Sequence, residues 1–340
     1  MVNRSEGVQG PALLVGEAVE DWTGDALFHE YSVAADPIGS GAIGRVPIHR
    51  FSPSLHHDGP SRIIPLDLST ALGVHYPATS PALLASFVVI HPGDEVVTLP
   101  DATSELYYCV EGQGRSEFER MPSPAAAGRP VGARAGRLEW GRGDFLTFPA
   151  NCTIVHTAGT PGRALLYRVT DAPLLRYLGV TPSEGRFEPT RFDAAASLAR
   201  LAEVERDPAS AHRSRVSILL GNAATPQTLT VTHTLWAMLG VLPAGRVQRP
   251  HRHQSVALDL ITECAPGCYS LLGAHLDDQG AIINPVRVDW EAAGVFVTPP
   301  GLWHSHHNES ARPAHLVPIQ DAGLHAYLRS LDIRFTTAGA

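Results

Sequence analysis

Two stretches in the second half of the chain decide its fold: Gly245-Arg-Val-Gln-Arg-Pro-His251-Arg-His253 and Pro299-Pro-Gly-Leu-Trp-His304-Ser-His-His-Asn308. Side chains at positions i and i+2 of a β-strand point to the same face. His251 and His253 therefore face one side of a predicted strand, and Arg252 faces the other. His304, on a neighbouring strand, completes a set of three imidazoles that can converge on one metal ion.

The composition is that of a globular protein of more than one domain. The 340 residues are 44% hydrophobic and 18% charged, which is enough apolar material for two cores. A net charge of −8, without any run of Lys and Arg, argues against nucleic acid or an anionic membrane as partner. The opening MVNRSEGVQG lacks an apolar signal segment, and no stretch approaches the roughly 20 apolar residues that span a bilayer. We expect a cytoplasmic protein.

The chain contains an internal duplication. Leu165-Leu-Tyr-Arg-Val-Thr-Asp-Ala-Pro-Leu-Leu-Arg-Tyr-Leu178 resembles His315-Leu-Val-Pro-Ile-Gln-Asp-Ala-Gly-Leu-His-Ala-Tyr-Leu328 at an offset of 315 − 165 = 150 residues. Each half also carries short alternating or apolar runs that are bounded by Gly and Pro. This pattern predicts a mainly all-β chain of two antiparallel β-barrel or jelly-roll domains with a few peripheral helices.

The sequence suggests four regions. They are an N-terminal wrapping segment (1–60), a first barrel without metal ligands (61–185), a helical linker (186–212) and a metal-binding second barrel (213–335). Apolar residues at helical spacing predict a linker helix from Asp193 to about Arg206, and a second short helix is expected near Gly323–Leu331. The Ala-, Pro- and Gly-rich stretch 121–136 predicts a long hairpin insertion.

The first half has lost the histidines of the second. When Glu111 is aligned with Glu263 and Pro149 with Pro299, the positions of His251, His253 and His304 are taken by Leu99, Asp101 and Ile154. His156 then matches His306, which is not one of the three ligands. Glu105 and Asp101 alone make a poor metal site. The first barrel is therefore either structural or a wall of the second site.

The two quoted stretches resemble the two halves of the cupin signature, with Gly245 and Gly301 at tight turns. Most cupins add a glutamate four or five residues after the second histidine, where this chain has Ala257 and Leu258. Together with the duplication and the ending Asp171-Ala-Pro-Leu-Leu-Arg-Tyr-Leu-Gly179, the chain resembles the gentisate 1,2-dioxygenase family of bicupins over roughly residues 83 to 335. That family, which includes salicylate and 1-hydroxy-2-naphthoate dioxygenases, opens aromatic rings with O₂ at an Fe(II) held by three histidines.

The resemblance implies roles for five residues. His251, His253 and His304 would hold Fe(II), with Trp303 and His306 beside the substrate. Three neutral ligands leave metal positions for a chelating substrate and for O₂, and a histidine such as His306 can donate a hydrogen bond or exchange a proton near neutral pH. Zn²⁺, Ni²⁺, Cu²⁺ and Mn²⁺ are alternative ions, the first three because imidazoles bind them more tightly than Fe²⁺. The family also implies a homo-oligomer, either a dimer or a tetramer.

The substrate pocket departs from the family. An arginine that grips the substrate carboxylate eight residues after the first metal histidine is replaced by Asp259, whose parity with His251 directs it into the barrel. A glutamine that the family places near the substrate corresponds to Leu239 when one residue is inserted before His251. We therefore expect a substrate other than gentisate, with Asp259 as a binding and catalytic group and with Arg213 or Arg215 as compensating cations.

The sequence leaves three functions open. The first is an Fe(II)-dependent dioxygenase that uses O₂ on an aromatic or enolic small molecule. The second is a non-redox metallo-cupin, an isomerase or lyase, in which Asp259 or His306 acts as base. The third is a bicupin that binds a small molecule without catalysis, because fold alone does not determine function. In none of the three do we expect a nucleic acid or membrane partner.

Overall fold

The structure is a computed structural model that describes residues 23–121, 134–212 and 216–336. Residues up to Gly44 and residues from Arg45 onward are two separate compact units. The described part of the first unit contains one short helix, α1 (Tyr31–Ala34), whose first turn is capped by the carboxylate of Glu30. The remaining elements all belong to the second unit.

The second unit is built mainly from β-strands. In chain order they are β1 (His49–Phe51), β2 (Arg62–Pro65), β3 (Leu84–Ile90), β4 (Glu95–Thr98), β5 (Ser104–Glu111), β6 (Gln113–Arg120), β7 (Arg134–Gly141), β8 (Phe145–Pro149), β9 (Cys152–Ala158), β10 (Ala164–Thr170), β11 (Thr190–Phe192), β12 (Val216–Leu219), β13 (Trp236–Leu242), β14 (Val247–Arg252), β15 (Ala257–Glu263), β16 (Cys268–Gly273), β17 (Val286–Asp289), β18 (Val295–Thr298), β19 (Trp303–Asn308), β20 (Ala314–Gln320) and β21 (Arg334–Phe335). The helices are α2 (Ser69–Leu72), α3 (Ala172–Leu178), α4 (Ala194–Arg206) and α5 (Ala322–Leu328), with 3-10 turns at Pro53–His56 and Pro208–His212.

The strands form two jelly rolls, each made of two antiparallel sheets. The first combines the sheets β11-β8-β5-β10-β3-β2 and β4-β9-β6-β7, and the second combines β1-β18-β15-β20-β13-β12 and β17-β16-β19-β14-β21. We call them the first and the second barrel, although the described strand pairs do not close either into a continuous cylinder. The predicted all-β bicupin fold is confirmed.

Each barrel takes one edge strand from the other half of the chain. β1 precedes the first barrel in sequence but pairs with β18 of the second, where Phe51 lies opposite Val295. β11 follows the first barrel and pairs with β8, where Phe192 lies opposite Phe145. Residues 49–51 of the predicted wrapping segment and residues 190–192 of the predicted linker are therefore barrel strands. The exchange ties the two barrels together.

The largest apolar cluster lies between the barrels. It joins Phe87 and Tyr167 of the first barrel to Leu258 and Val297 of the second, all fully buried. Because alternate strand residues face opposite sides, the neighbours of these residues face the barrel interiors. Both interiors also hold buried polar groups: those of the first barrel include Glu105, Arg168 and His156, and those of the second include four histidines, Gln248 and Asp259.

The helices lie outside the sheets. The predicted linker helix is present as Ala194–Arg206, capped by Asp193, and the predicted second helix is Ala322–Leu328. β6 and β7 pair up to Arg120 and Arg134, so they form the base of the predicted hairpin insertion, and residues 122–133 lie outside the described ranges. None of the helices in the described ranges is long and apolar enough to cross a membrane.

Candidate metal centre in the second barrel

The three predicted metal ligands come together inside the second barrel. His251 on β14 lies directly opposite His304 on β19, and His253 follows two residues later on the same face. The ring centroid of His304 lies 4.0 Å from that of His251 and 4.9 Å from that of His253. One nitrogen from each ring lies within 4.8 Å of the others, and all three side chains are buried.

The surrounding backbone orients each ring. Nδ1 of His251 lies 3.1 Å from the carbonyl oxygen of Arg249, Nδ1 of His253 lies 2.8 Å from that of Ser255, and Nδ1 of His304 lies 3.0 Å from that of Leu302. A carbonyl only accepts, so each Nδ1 donates its hydrogen and each Nε2 keeps a lone pair. Three neutral Nε2 donors held by backbone carbonyls are a donor set that fits a divalent transition metal.

His306 lies deeper on the same face of β19. Its ring centroid is 5.7 Å from that of His304 and 5.9 Å from that of His251. Nδ1 of His306 is 2.7 Å from the hydroxyl of Ser270, so its other nitrogen is on the ring edge away from Ser270. The fourth histidine therefore borders the metal centre without joining the three-nitrogen cluster.

A bulge in β14 adds Gln248 to the site. The register of β14 against β19 shifts between Gln248 and His251, so these two residues share a face although they are three positions apart. The amide nitrogen of Gln248 is 3.4 Å from Nε2 of His251, and the side chain is buried. Simple alternation would have directed Gln248 outward, which is why the sequence alone did not identify it.

Asp259 faces the interior of the second barrel, on the sheet opposite the histidines. Its neighbour across the strand pair is Phe296, whose ring lies 6.2 Å from that of His306. The Asp259 carboxylate is buried and accepts a hydrogen bond of 2.8 Å from the hydroxyl of Thr298. The site thus has an acidic side where the resemblance would place an arginine.

Trp236 contributes a hydrogen-bond donor that sequence reasoning missed. It lies opposite Gln320, whose side chain bonds to Ser255, and the Ser255 hydroxyl in turn contacts Nδ1 of His253. Trp236 is therefore on the interior face near the metal ligands. Its indole nitrogen is buried and has no hydrogen-bond partner among the described residues. A buried donor of this kind costs free energy unless a ligand accepts its hydrogen.

The C-terminal strand places an aromatic ring beside the metal centre. β21 pairs with β14 so that Phe335 lies opposite His251, and the two rings stack at 5.7 Å with an interplanar angle of 18°. Phe335 remains 53% exposed, so a large part of its side chain is still available for contact. This aromatic side of the metal centre comes from a residue that lies well after the two motif stretches in the sequence.

Other predicted substrate residues lie elsewhere. Leu239 belongs to the apolar cluster between the barrels. Its neighbour Met238 faces the barrel interior, as Trp236 does. A shift of one position reverses the face of a strand residue, so an alignment error of one residue exchanges the two. Trp303 lies on the outer face of β19, where the guanidinium of Arg252 is 5.1 Å from its ring centroid. Leu239 and Trp303 are therefore not part of the site proposed below. Arg213 and Arg215 lie outside the described residues.

The first barrel fills the corresponding space with its own side chains. Strand pairing makes Glu105, Tyr107 and Arg168 the counterparts of Ala257, Asp259 and Pro318. Arg168 contacts Glu105 at 2.9 Å and Asp101 at 3.4 Å, and Tyr107 donates a hydrogen bond of 2.6 Å to Glu105. Glu105 and Arg168 thus form a buried ion pair, which the more exposed Asp101 extends, at strand positions where the second barrel has Ala257 and Pro318.

Burial and the Arg168 charge shape the protonation of the first barrel. Burial, reinforced by the positive charge of Arg168, lowers the pKa of His156 to about 3, so that ring stays neutral. Burial alone would lower the pKa of Arg168, but the charges of Glu105 and other neighbours raise it overall, and Arg168 stays cationic. A fixed guanidinium therefore supplies a positive charge inside the barrel that lacks metal ligands.

Comparison with known proteins supports the bicupin assignment. No family model matches the chain. A 96-residue stretch is 27% identical to gentisate 1,2-dioxygenase 1 from Aquipseudomonas alcaligenes, and it spans 28% of this chain and 24% of that relative.

Solved structures match over most of the chain. Salicylate 1,2-dioxygenase from Pseudoaminobacter salicylatoxidans, as a point mutant in complex with gentisate, superposes with a TM-score of 0.65 over 90% of both chains at 15% identity. Procruciferin, an 11S globulin from Brassica napus, superposes with a TM-score of 0.53 at 10% identity, covering 86% of this chain and 87% of that one. By its fold and by the matched stretch of sequence, the chain is a bicupin that resembles gentisate and salicylate 1,2-dioxygenases.

Proposed function

We propose that the protein is an Fe(II)-dependent dioxygenase that uses O₂ on an aromatic or enolic small molecule in its second barrel. The observation that carries the proposal is that one imidazole nitrogen from each of His251, His253 and His304 lies within 4.8 Å of the others inside the second barrel, whereas the first barrel holds a buried ion pair of Glu105 and Arg168. The similarity to gentisate and salicylate dioxygenases supports the reaction class. When bound, Fe(II) would supply a place where substrate and O₂ meet.

The protein groups around the ligands would bind and orient the substrate. Phe335 offers an apolar ring face, and the Trp236 indole offers a donor for a substrate oxygen. Asp259 offers an acceptor on the opposite sheet, and His306 lies where it can hydrogen-bond to the substrate or transfer a proton. Burial of Asp259 and His306 keeps water away from their polar atoms and strengthens the contacts that they make.

Asp259 argues for a substrate other than gentisate. A buried carboxylate repels the carboxylate of a hydroxybenzoate and attracts a hydrogen-bond donor. We therefore propose a substrate that presents an amine, guanidine or phenolic hydroxyl toward Asp259.

A cytoplasmic location and a dimer or tetramer of identical chains remain predictions.

Oxygen uptake tests this proposal. The protein is made metal-free, reconstituted with Fe(II) under anaerobic conditions and mixed with hydroxybenzoates, aminophenols and catechols. We expect substrate-dependent uptake by the wild type and none by His304→Ala. His156→Ala, at the equivalent of His306 in the first barrel, is the control that should retain uptake. Stoichiometric iron without uptake from any substrate would contradict a dioxygenase and point to a non-redox or binding cupin.

A further inference from the structure

The same three-residue relay occurs in both barrels. In the second barrel the Trp290 indole nitrogen is 2.9 Å from the Ser270 hydroxyl, which is 2.7 Å from Nδ1 of His306. In the first barrel the corresponding distances are both 2.8 Å, from Trp140 to Ser116 and from Ser116 to Nδ1 of His156. The relay is thus part of the duplicated fold and is present without a metal ligand set.

Hydrogen-bond chemistry fixes the direction of the relay. The tryptophan indole can only donate, so each serine oxygen accepts from it. Both serines are fully buried, and the described residues place no acceptor other than the histidine Nδ1 within reach of either hydroxyl hydrogen. If Nδ1 carried a hydrogen, the buried hydroxyl would lose its acceptor, at a cost in stability. Nδ1 therefore accepts, and the hydrogen of the neutral ring is on Nε2.

In the first barrel, the hydrogen on Nε2 of the histidine has an acceptor. Nε2 of His156 is 3.5 Å from the Thr98 hydroxyl, which is 3.0 Å from the Tyr107 hydroxyl. Tyr107 donates to the carboxylate of Glu105, so it accepts from Thr98, and Thr98 in turn accepts from Nε2–H of His156. Every donor in this series of hydrogen bonds finds an acceptor only if His156 carries its hydrogen on Nε2.

In the second barrel, the residues that continue this series of hydrogen bonds in the first barrel are replaced. Asp259 and Ala257 stand where the first barrel has Tyr107 and Glu105. We propose that Trp290 and Ser270 are positioning residues that hold His306 as a neutral Nε2–H donor directed into the site. The site would then take a substrate that presents an oxygen acceptor, such as a carbonyl or a phenolic oxygen, to His306. This substrate assignment rests on the proposed function, whereas the relay itself does not.

The tautomer can be measured directly. ¹⁵N-histidine-labelled full-length protein, metal-free and loaded with diamagnetic Zn²⁺, is compared by NMR for the wild type, Ser270→Ala and Ser270→Thr, with His306→Gln to assign the signals. We expect His306 to carry its hydrogen on Nε2 in the wild type and in Ser270→Thr, and to become a mixture of tautomers in Ser270→Ala. A hydrogen on Nδ1 in the wild type, or an unchanged tautomer in Ser270→Ala, would overturn the proposal.

Kinetics provide the second readout and a matched control. Ser270→Ala should lower kcat by about tenfold or more in oxygen uptake, and Ser270→Thr should restore most of it. Ser116→Ala removes the same hydroxyl from the first barrel and should leave uptake unchanged. Equal losses in both alanine variants would reduce the relay to a structural role. If no substrate supports oxygen uptake, the NMR experiment still shows whether Ser270 sets the tautomer of His306. Failure of the dioxygenase proposal can therefore be distinguished from failure of the relay proposal.

Discussion

The guanidinium of Arg168 lies 2.9 Å from the carboxylate of Glu105 inside the first barrel, on strand positions that the second barrel gives to Pro318 and Ala257. Both side chains are almost completely buried, and Asp101 also contacts Arg168. One copy of the duplicated unit thus holds a buried guanidinium, and the other holds three histidines that can bind a metal ion. The folding of the first barrel should not depend on metal.

Removal of Arg168 should destabilise the protein strongly. Arg168→Met leaves Glu105 buried without its partner, and loss of one member of a buried pair typically costs about 3–5 kcal/mol. Unfolding in urea measures the change in free energy. The double variant with Glu105→Gln should recover much of the loss, because no buried charge is then unpaired. A cost below about 1 kcal/mol for Arg168→Met would contradict the proposed role.

Stability should fall as pH rises toward neutrality because of Asp321. Burial raises the pKa of this carboxyl to about 7, with one hydrogen bond from the Val256 amide acting against the shift. A raised pKa in the folded state stabilises the protein at low pH, and the contribution is lost as pH rises through about 7. Relative to Asp321→Asn, the wild type should lose on the order of 3 kcal/mol between about pH 5 and pH 8. Parallel stability curves for the two proteins would show that Asp321 does not titrate there.

Asp259 should determine which substrates are accepted. A hydrogen bond to a charged group is worth about 1.5–3 kcal/mol, so Asp259→Asn should lower kcat/KM for donor-bearing substrates by about 10- to 100-fold. Asp259→Arg should instead favour substrates with a carboxylate, and iron content should not change in either variant. Oxygen uptake across the substrate panel measures both effects. Unchanged turnover of every substrate in Asp259→Arg would remove the basis for this role.

Phe335 should support the metal ligand on which it stacks. An aromatic pair contributes about 0.5–1.5 kcal/mol, so Phe335→Ala should weaken Zn²⁺ binding by about two- to tenfold, measured against a competing chelator. Arg334→Ala, one residue earlier on the opposite face of β21, is the matched control and should bind Zn²⁺ like the wild type. Equal affinity in all three proteins would mean that the stacking does not position His251.

The sequence predicted what depends on local spacing. The three metal histidines follow from the i, i+2 rule and from the second motif, and the same alternation directs Asp259 inward. The alternation rule gives the wrong face for Gln248, because the bulge in β14 inserts one extra residue between Gln248 and His251. The assignment of Leu239 depends on a one-residue insertion, which reverses the face of a strand residue.

Contacts between distant parts of the chain could not be predicted. The pairing of β21 with β14 brings Phe335 to His251 from 84 positions away, since 335 − 251 = 84. The exchange of β1 and β11 between barrels and the ion pair of Arg168 with Glu105 also depend on tertiary packing alone. The orphan indole of Trp236 becomes visible only when every nearby acceptor has been placed.

The central claim is that one metal ion binds per chain, in the second barrel. Its most direct test is anaerobic titration of the metal-free protein with Fe(II), followed by metal analysis after removal of unbound ion. We predict one equivalent in the wild type and in His156→Ala, and none in His304→Ala. Two equivalents per chain, or one equivalent retained by His304→Ala, would contradict the assignment of the metal to His251, His253 and His304.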